Sequence, residues 1–181
     1  MERAEEERSA VSQLTLTALD WSDEAHNVHH PLAGALYYED QRDEAVRAAA
    51  VFRRERVPRW LAYFESVLVS NPATDGAGAG EREGDRDGNG DGNGEGRTYL
   101  FGKQTTTADL VLFQVLDGML FAFPRRMAQL RAGGEFKHVF ALHERVRGEK
   151  GIKEYLASDR RRPFGMGLFR HYEELDGEEQ E

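Results

Sequence analysis

At 181 residues and a formal net charge of −9, the chain is long enough for one domain with a sizeable core. It has no cysteine, which excludes a disulfide framework, a thiolate metal site and a cysteine nucleophile. Residues 73–96 hold seven acids and two bases, 2 − 7 = −5, so the remainder is close to balanced and lacks the broad basic face a nucleic acid needs.

The charged start, Met1-Glu2-Arg3-Ala4-Glu5-Glu6-Glu7-Arg8, lacks the apolar stretch of a signal peptide, and no long uncharged apolar run follows. A cytoplasmic protein without a membrane partner is the expectation. From about Glu5 to Tyr38 the pattern reads as one long helix or two in line. Val11, Leu14, Leu16, Ala18, Trp21, Ala25 and Val28 fall mainly at three- and four-residue spacings, and Pro31 predicts a kink. A second long helix is predicted from about Arg42 to Leu68, bent at Pro58 and stopped by Asn71-Pro72. Two long helices joined by a short turn make an antiparallel hairpin, the usual start of a bundle.

Residues 73–97 are rich in Gly and Asp and nearly free of apolar side chains, the composition of a disordered insert. Asp85 to Gly96 imitates the first half of a calcium loop, but Gly96 stands where a bidentate Glu is required, so low-complexity sequence is the better account. Thr106 and Asp109 then form a Thr-x-x-Asp helix start. From Leu110 to Phe123 only Gln114 and Asp117 carry polar side chains. A helix apolar on nearly every side must be surrounded, so this one is the centre of an all-α bundle of about five helices. Pro124 ends it. Arg131 to Gly134 reads as a loop, and two shorter helices follow, roughly Phe136 to Arg147 and Gly151 to Ser158. Arg160 to Tyr172 alternates basic and aromatic groups and suits an extended arm across the bundle. The domain division expected is 1–72 for the first two long helices, 73–97 for the insert, 98–172 for the rest of the same domain and 173–181 for an acidic, frayed tail.

Several residues are candidates for a site. His26, His29 and His30 share one face of a helix, and neutral imidazoles there, with Asp23 one turn earlier, suit a metal. The plainer reading is a polar helix edge lining a cleft, preferred because a helical His pair needs a third convergent ligand; no metal is assigned. Tyr37, Tyr38 and Trp21, with His30, are the candidates for an apolar ligand wall. Asp117 needs a hydrogen bond or an Arg partner inside an apolar helix. Arg160, Arg161 and Arg162, with Phe164, Phe169 and Tyr172, form a basic-aromatic cluster that suits an anionic ligand or a partner's acidic surface, but surface pairing with Glu173, Glu174 and Asp176 is the default expectation. Thr106 and Asp109 are structural capping residues, and no catalytic residue is assigned.

The order of these elements, with Tyr99-Leu100-Phe101-Gly102 leading into Thr106-Thr107-Ala108-Asp109-Leu110, resembles the C-terminal helical domain of glutathione S-transferases. His29-His30-Pro31, Tyr37-Tyr38-Glu39-Asp40-Gln41, Phe113 to Gly118 and Arg162-Pro163-Phe164 look like a sigma-like fungal or bacterial branch. The resemblance implies that the chain supplies the hydrophobic-substrate wall and part of a dimer interface for glutathione conjugation. By that resemblance the thiol-activating group belongs to a thioredoxin-like N-terminal domain, which the chain is expected to lack. No cofactor is implied. Glutathione is the co-substrate once such a domain is supplied, and the expected partners are a second copy or a thioredoxin-like domain, plus a hydrophobic small molecule. The alternative is a non-catalytic interaction or dimerisation module.

Overall fold

The computed structural model describes residues 2–71 and 99–177, with side chains from residue 5 onward. Within them the chain forms α1 (Glu2–Asn27), a 3-10 turn (Tyr38–Gln41), α2 (Arg42–Val51), a π-turn (Phe52–Arg56) and α3 (Val57–Ser70). After residue 99 come α4 (Thr107–Ala122), α5 (Pro124–Ala132), α6 (Lys137–Gly148), α7 (Lys150–Leu156) and a second 3-10 turn (Glu173–Asp176). The expected disordered insert and its calcium-loop mimic lie outside the described residues.

The central helix is α4. It packs against α1, α5 and α6, while α3 packs on α6. Leu112, Leu116 and Met119 are fully buried and meet a core built from Trp21, Leu61, Phe64, Leu68, Leu142 and Val146. Each such large apolar side chain contributes roughly 1.5–3 kcal/mol on burial. The start of α4 is fixed by Asp109, which is fully buried. Its Oδ2 accepts from the Thr106 amide at 2.8 Å and the Thr106 hydroxyl at 2.7 Å, and its Oδ1 accepts from the Leu100 amide at 2.9 Å. Asn71 completes the junction by donating to the carbonyls of Tyr99 (2.7 Å) and Gly102 (3.0 Å). One carboxylate and one amide thus tie the end of α3 and the approach to α4 together.

Departures from expectation begin with the first helix. The first helix stops at Asn27 and does not continue through a kink at Pro31. Proline disfavours helical geometry in His30, and the Gln41 side chain, fully buried, takes over the pairing of the loop. Its Oε1 accepts from the amides of Leu32 and Ala33, and its Nε2 donates to the carbonyls of Ala33 and Leu36. Pro58, expected to bend the second rod, is preceded by a π-turn in which the Val57 amide reaches the Phe52 carbonyl, five residues back. A proline at 58 offers no amide to the Arg54 carbonyl, and the widened turn ahead of it accommodates that loss within the unbroken helical run from Arg42 to Ser70.

A further departure is α5. Pro124 ends α4 and also begins the next helix, as proline suits a first helical position; the two axes meet at 114°. Asp176 caps α5, accepting from the amides of Arg125 (2.7 Å) and Arg126 (3.3 Å). The Glu173–Asp176 turn is therefore docked rather than frayed. Leu175 and Asp176 are buried, the Leu175 carbonyl accepts from Arg53 Nη1, and Glu174 pairs with Arg42 at 2.8 Å. Its acids are engaged with Arg42, Arg125 and the α5 amides, so they do not pair with Arg160–Arg162 as expected.

Candidate functional site: two cavities under a C-terminal strap

Residues 157–172 run without regular structure across α1 and α4 as a strap, the extended arm that the basic–aromatic alternation suggests. Its anchors are specific. Arg161 Nη2 donates to Asp117 Oδ2 at 2.9 Å, and the guanidinium lies 4.6 Å from the Phe164 ring centre. Asp117 also accepts from His143 Nε2 and Arg147 Nη1, both at 3.3 Å. This is the partnered carboxylate expected inside an apolar helix. Its carboxyl is held below the usual range chiefly by the His143 hydrogen bond, with Arg161 adding to it against the opposing effect of burial.

Farther along, Phe164 stacks on Phe121 at 5.0 Å and meets Phe169 edge-on at 6.1 Å. Phe169 rests against Gly118, where an added Cβ would fall 2.3 Å from the ring. A glycine is needed there for close approach rather than for backbone freedom. The Leu168 carbonyl accepts from His29 Nε2 at 3.2 Å, and the Ala122 carbonyl accepts from His171 Nδ1 at 3.1 Å. Tyr172 closes the strap by stacking on Tyr38, with ring centres 3.8 Å apart and planes 13° from parallel.

The strap leaves two cavities beneath and beside it, with Met166 on the wall of both. The first, about 580 Å³, lies between Leu19 and Ser22 of α1, Leu110, Val111, Gln114 and Val115 of α4, and strap residues 161–169. Its walls are mainly aliphatic and aromatic. The Ser22 hydroxyl donates to the Leu19 carbonyl at 2.7 Å, so its proton is already used within the helix. A cavity of this size and lining suits a compact apolar molecule. The second, about 480 Å³, is more polar and is lined by His26, His30, Tyr37, Tyr38, Glu39, Arg170 and Tyr172 among others.

The residues singled out in the sequence separate here. Tyr37, 78 % exposed, stands at the rim of the second cavity. Tyr38 is buried in its wall and donates its hydroxyl to Glu174 Oε1 at 3.0 Å. Burial, then the Glu174 carboxylate, pushes its phenol above the usual range, so it stays protonated. His30 shares this wall, its imidazole lowered in pKa by burial and then by the Arg170 charge. Burial also brings His29 down to about 4.

Trp21 does not line either cavity. It is fully buried and stacked on Trp60 at 6.1 Å and Phe64 at 6.2 Å. Its spacing along α1 with Ala18 and Ala25 is that of the core stripe, so it belongs to packing. Thr106 and Asp109 hold the start of α4 and likewise line neither cavity. The first cavity was not anticipated. Its α4 residues sit within an all-apolar helix whose periodicity cannot show which side is left uncovered. A signal did exist in Phe164-Gly165-Met166-Gly167-Leu168-Phe169, an apolar run broken by glycines and too short for a helix.

Among the described residues no single helix is long and apolar enough to cross a membrane. No curated protein matches the chain. The family model described as glutathione S-transferase, C-terminal domain, matches residues 26–159. Those 159 − 26 + 1 = 134 residues are well over half of the 181 and run from the end of α1 through α7 to the start of the strap. The chain therefore belongs to the glutathione S-transferase C-terminal domain family.

Proposed function

We propose that this chain supplies the wall that binds a hydrophobic co-substrate in a glutathione S-transferase-like protein, with the thiol-activating group on a thioredoxin-like domain. The observation that carries the reading is the apolar cavity of about 580 Å³ held open by the strap. Apolar walls give affinity by removing ligand surface from water, at roughly 25 cal/mol per Å². Arg161, locked on Asp117, provides order without offering a free charge to the ligand. Tyr37, Tyr38 and His30 extend the wall into the neighbouring cavity. The chain alone then binds apolar ligands but turns over little or nothing.

Isothermal titration tests this. An apolar aromatic ligand should bind the isolated chain without glutathione, and glutathione alone should give no heat of specific binding. Conjugation by the isolated chain at a rate comparable to a complete transferase would overturn the division of labour.

A second reading is favoured by a specific observation. Leu36, Tyr37 and Met166 are large, apolar and at least 39 % exposed on the wall of the second cavity, as an interaction surface would be. On this reading the chain is a docking or dimerisation module. Sedimentation over a concentration series separates the two, since a strictly monomeric chain with apolar-ligand binding supports only the first.

A further inference from the structure

The end of α1 gathers three imidazoles that the ligand-wall reading does not use together. His26 lies in the last turn of the helix, and the following turns, closed by His29 N–H to the His26 carbonyl (3.3 Å) and His30 N–H to the Asn27 carbonyl (3.2 Å), bring His29 and His30 beside it. The ring centres lie 4.8, 5.0 and 5.2 Å apart in pairs. One nitrogen from each ring falls within 4.8 Å of the others. The third convergent ligand that helical spacing alone could not guarantee is therefore present. Asp23, one turn earlier, is exposed and does not belong to the group.

His29 gives the decisive detail. It is 2 % exposed and donates from Nε2 to the Leu168 carbonyl. In a neutral ring this leaves the lone pair on Nδ1, and Nδ1 is buried without a hydrogen-bond partner. A polar helix edge does not explain a buried acceptor left unmatched, because such groups are costly and rare. A histidine that gives one N–H to a backbone carbonyl and keeps the other nitrogen free is oriented as metal-ligating histidines are. His30 is held by a hydrogen bond to the Leu36 carbonyl; the two Gln41 Nε2 hydrogens go to the Ala33 and Leu36 carbonyls, so its 3.2 Å contact with His30 Nδ1 need not claim the ring's lone pair.

We propose that His26, His29 and His30 form a three-imidazole site for a borderline divalent cation of the zinc type, with its remaining coordination position toward the second cavity. Three neutral nitrogen donors select zinc, copper or nickel over magnesium or calcium. Zinc–nitrogen bonds of about 2.0–2.1 Å in a tetrahedral site set the nitrogens about 3.3 Å apart. The half-buried rings of His26 and His30 must close in by up to about 1.5 Å to reach this, while His29 stays fixed by Leu168. His26 and His30 line the second cavity, so the open position faces its other charged groups, the Arg170 guanidinium and the Glu39 carboxylate. Arg170 opposes the cation and favours an anion or hydroxide on it; Glu39 offsets part of that repulsion.

The test uses the full chain without a polyhistidine tag, stripped by a chelator and titrated with zinc chloride. One zinc per chain should bind, with Kd on the order of 1 μM or below. His26→Ala and His30→Ala should each weaken it by at least about tenfold, while His138→Ala, on α6 and outside the group, leaves it unchanged. Circular dichroism checks that the variants fold. Should either fail to fold, wild-type imidazole ¹⁵N shifts on zinc addition carry the test, moving at His26, His29 and His30. Absence of saturable one-to-one binding, binding that survives both substitutions, or shifts confined to His138, His143 or His171 would overturn the proposal.

Discussion

Asp117 is the point where the buried helix and the strap are joined, and its removal has a calculable cost. Its side chain is 15 % exposed, that of Arg161 17 %, that of His143 1 % and that of Arg147 53 %. An exposed pair such as Asp117 with Arg147 contributes about 0.2–1 kcal/mol, whereas stripping one partner from a buried pair costs about 3–5 kcal/mol. The Arg161 and His143 contacts lie between these limits. Asp117→Ala should therefore destabilise by about 2–3 kcal/mol, lowering Tm by roughly 5–10 °C for a domain of this size. Arg161→Ala should cost about 1–2 kcal/mol. In a double-mutant cycle followed by urea unfolding at pH 7, the two should couple by about 1–2 kcal/mol. Both variants should also lose apolar-dye binding, because Arg161 holds one wall of the first cavity. Coupling below about 0.3 kcal/mol, the level expected of independent sites, would refute the claim that this pair anchors the strap.

Other outcomes follow from the same geometry. Gly118→Ala gains about 1 kcal/mol of helix propensity, but its Cβ collides with the Phe169 ring. A net loss of about 0–2 kcal/mol, with dye affinity reduced, is expected by thermal melting and titration. Asp109→Ala leaves the buried Leu100 amide and the half-buried Thr106 amide without their acceptor and should cost about 3 kcal/mol or more by urea unfolding. Asp176→Ala should cost about 1 kcal/mol and raise amide hydrogen exchange at Arg125 and Arg126 first. For pH, Asp117 is held below its ordinary value of 3.8, so acid protonates the unfolded chain before the folded one. Its stabilisation is complete above that ordinary value and is lost as pH falls through the depressed one. Asp117→Asn should flatten the acid limb of a stability–pH curve.

How much of this was legible in advance differs from element to element. The central helix could be read because Thr106-x-x-Asp109 opens it and fourteen nearly apolar residues follow, a local pattern with one solution. Asp117 could be foreseen as needing a partner, since an unpaired buried carboxylate is too costly; that the partner would be Arg161 depends on where the strap crosses. The end of α1 was misread because its decisive residue, Gln41, satisfies carbonyls and amides of a loop that precedes it, and side-chain pairing of that kind leaves no periodic trace. Pro124 was read only as a terminator, although the amides it frees are capped by Asp176, distant in sequence. Trp21 and Tyr38 look alike as aromatic residues of one segment. Packing against Trp60 in one case and Tyr172 in the other decides which is core and which is cavity wall. The three histidines showed their spacing, but the lone pair left by the bond to Leu168 exists only once the strap is in place.

The central claim, that this chain is a wall for an apolar ligand, is tested most directly by methyl NMR during titration with 1-anilinonaphthalene-8-sulfonate. The account predicts saturable one-to-one binding with shifts concentrated at Leu19, Leu110, Val111, Val115 and Leu168, and its loss in Leu110→Trp, which fills the first cavity. Binding that is absent, that shifts methyls away from this cavity, or that persists unchanged in Leu110→Trp would contradict it.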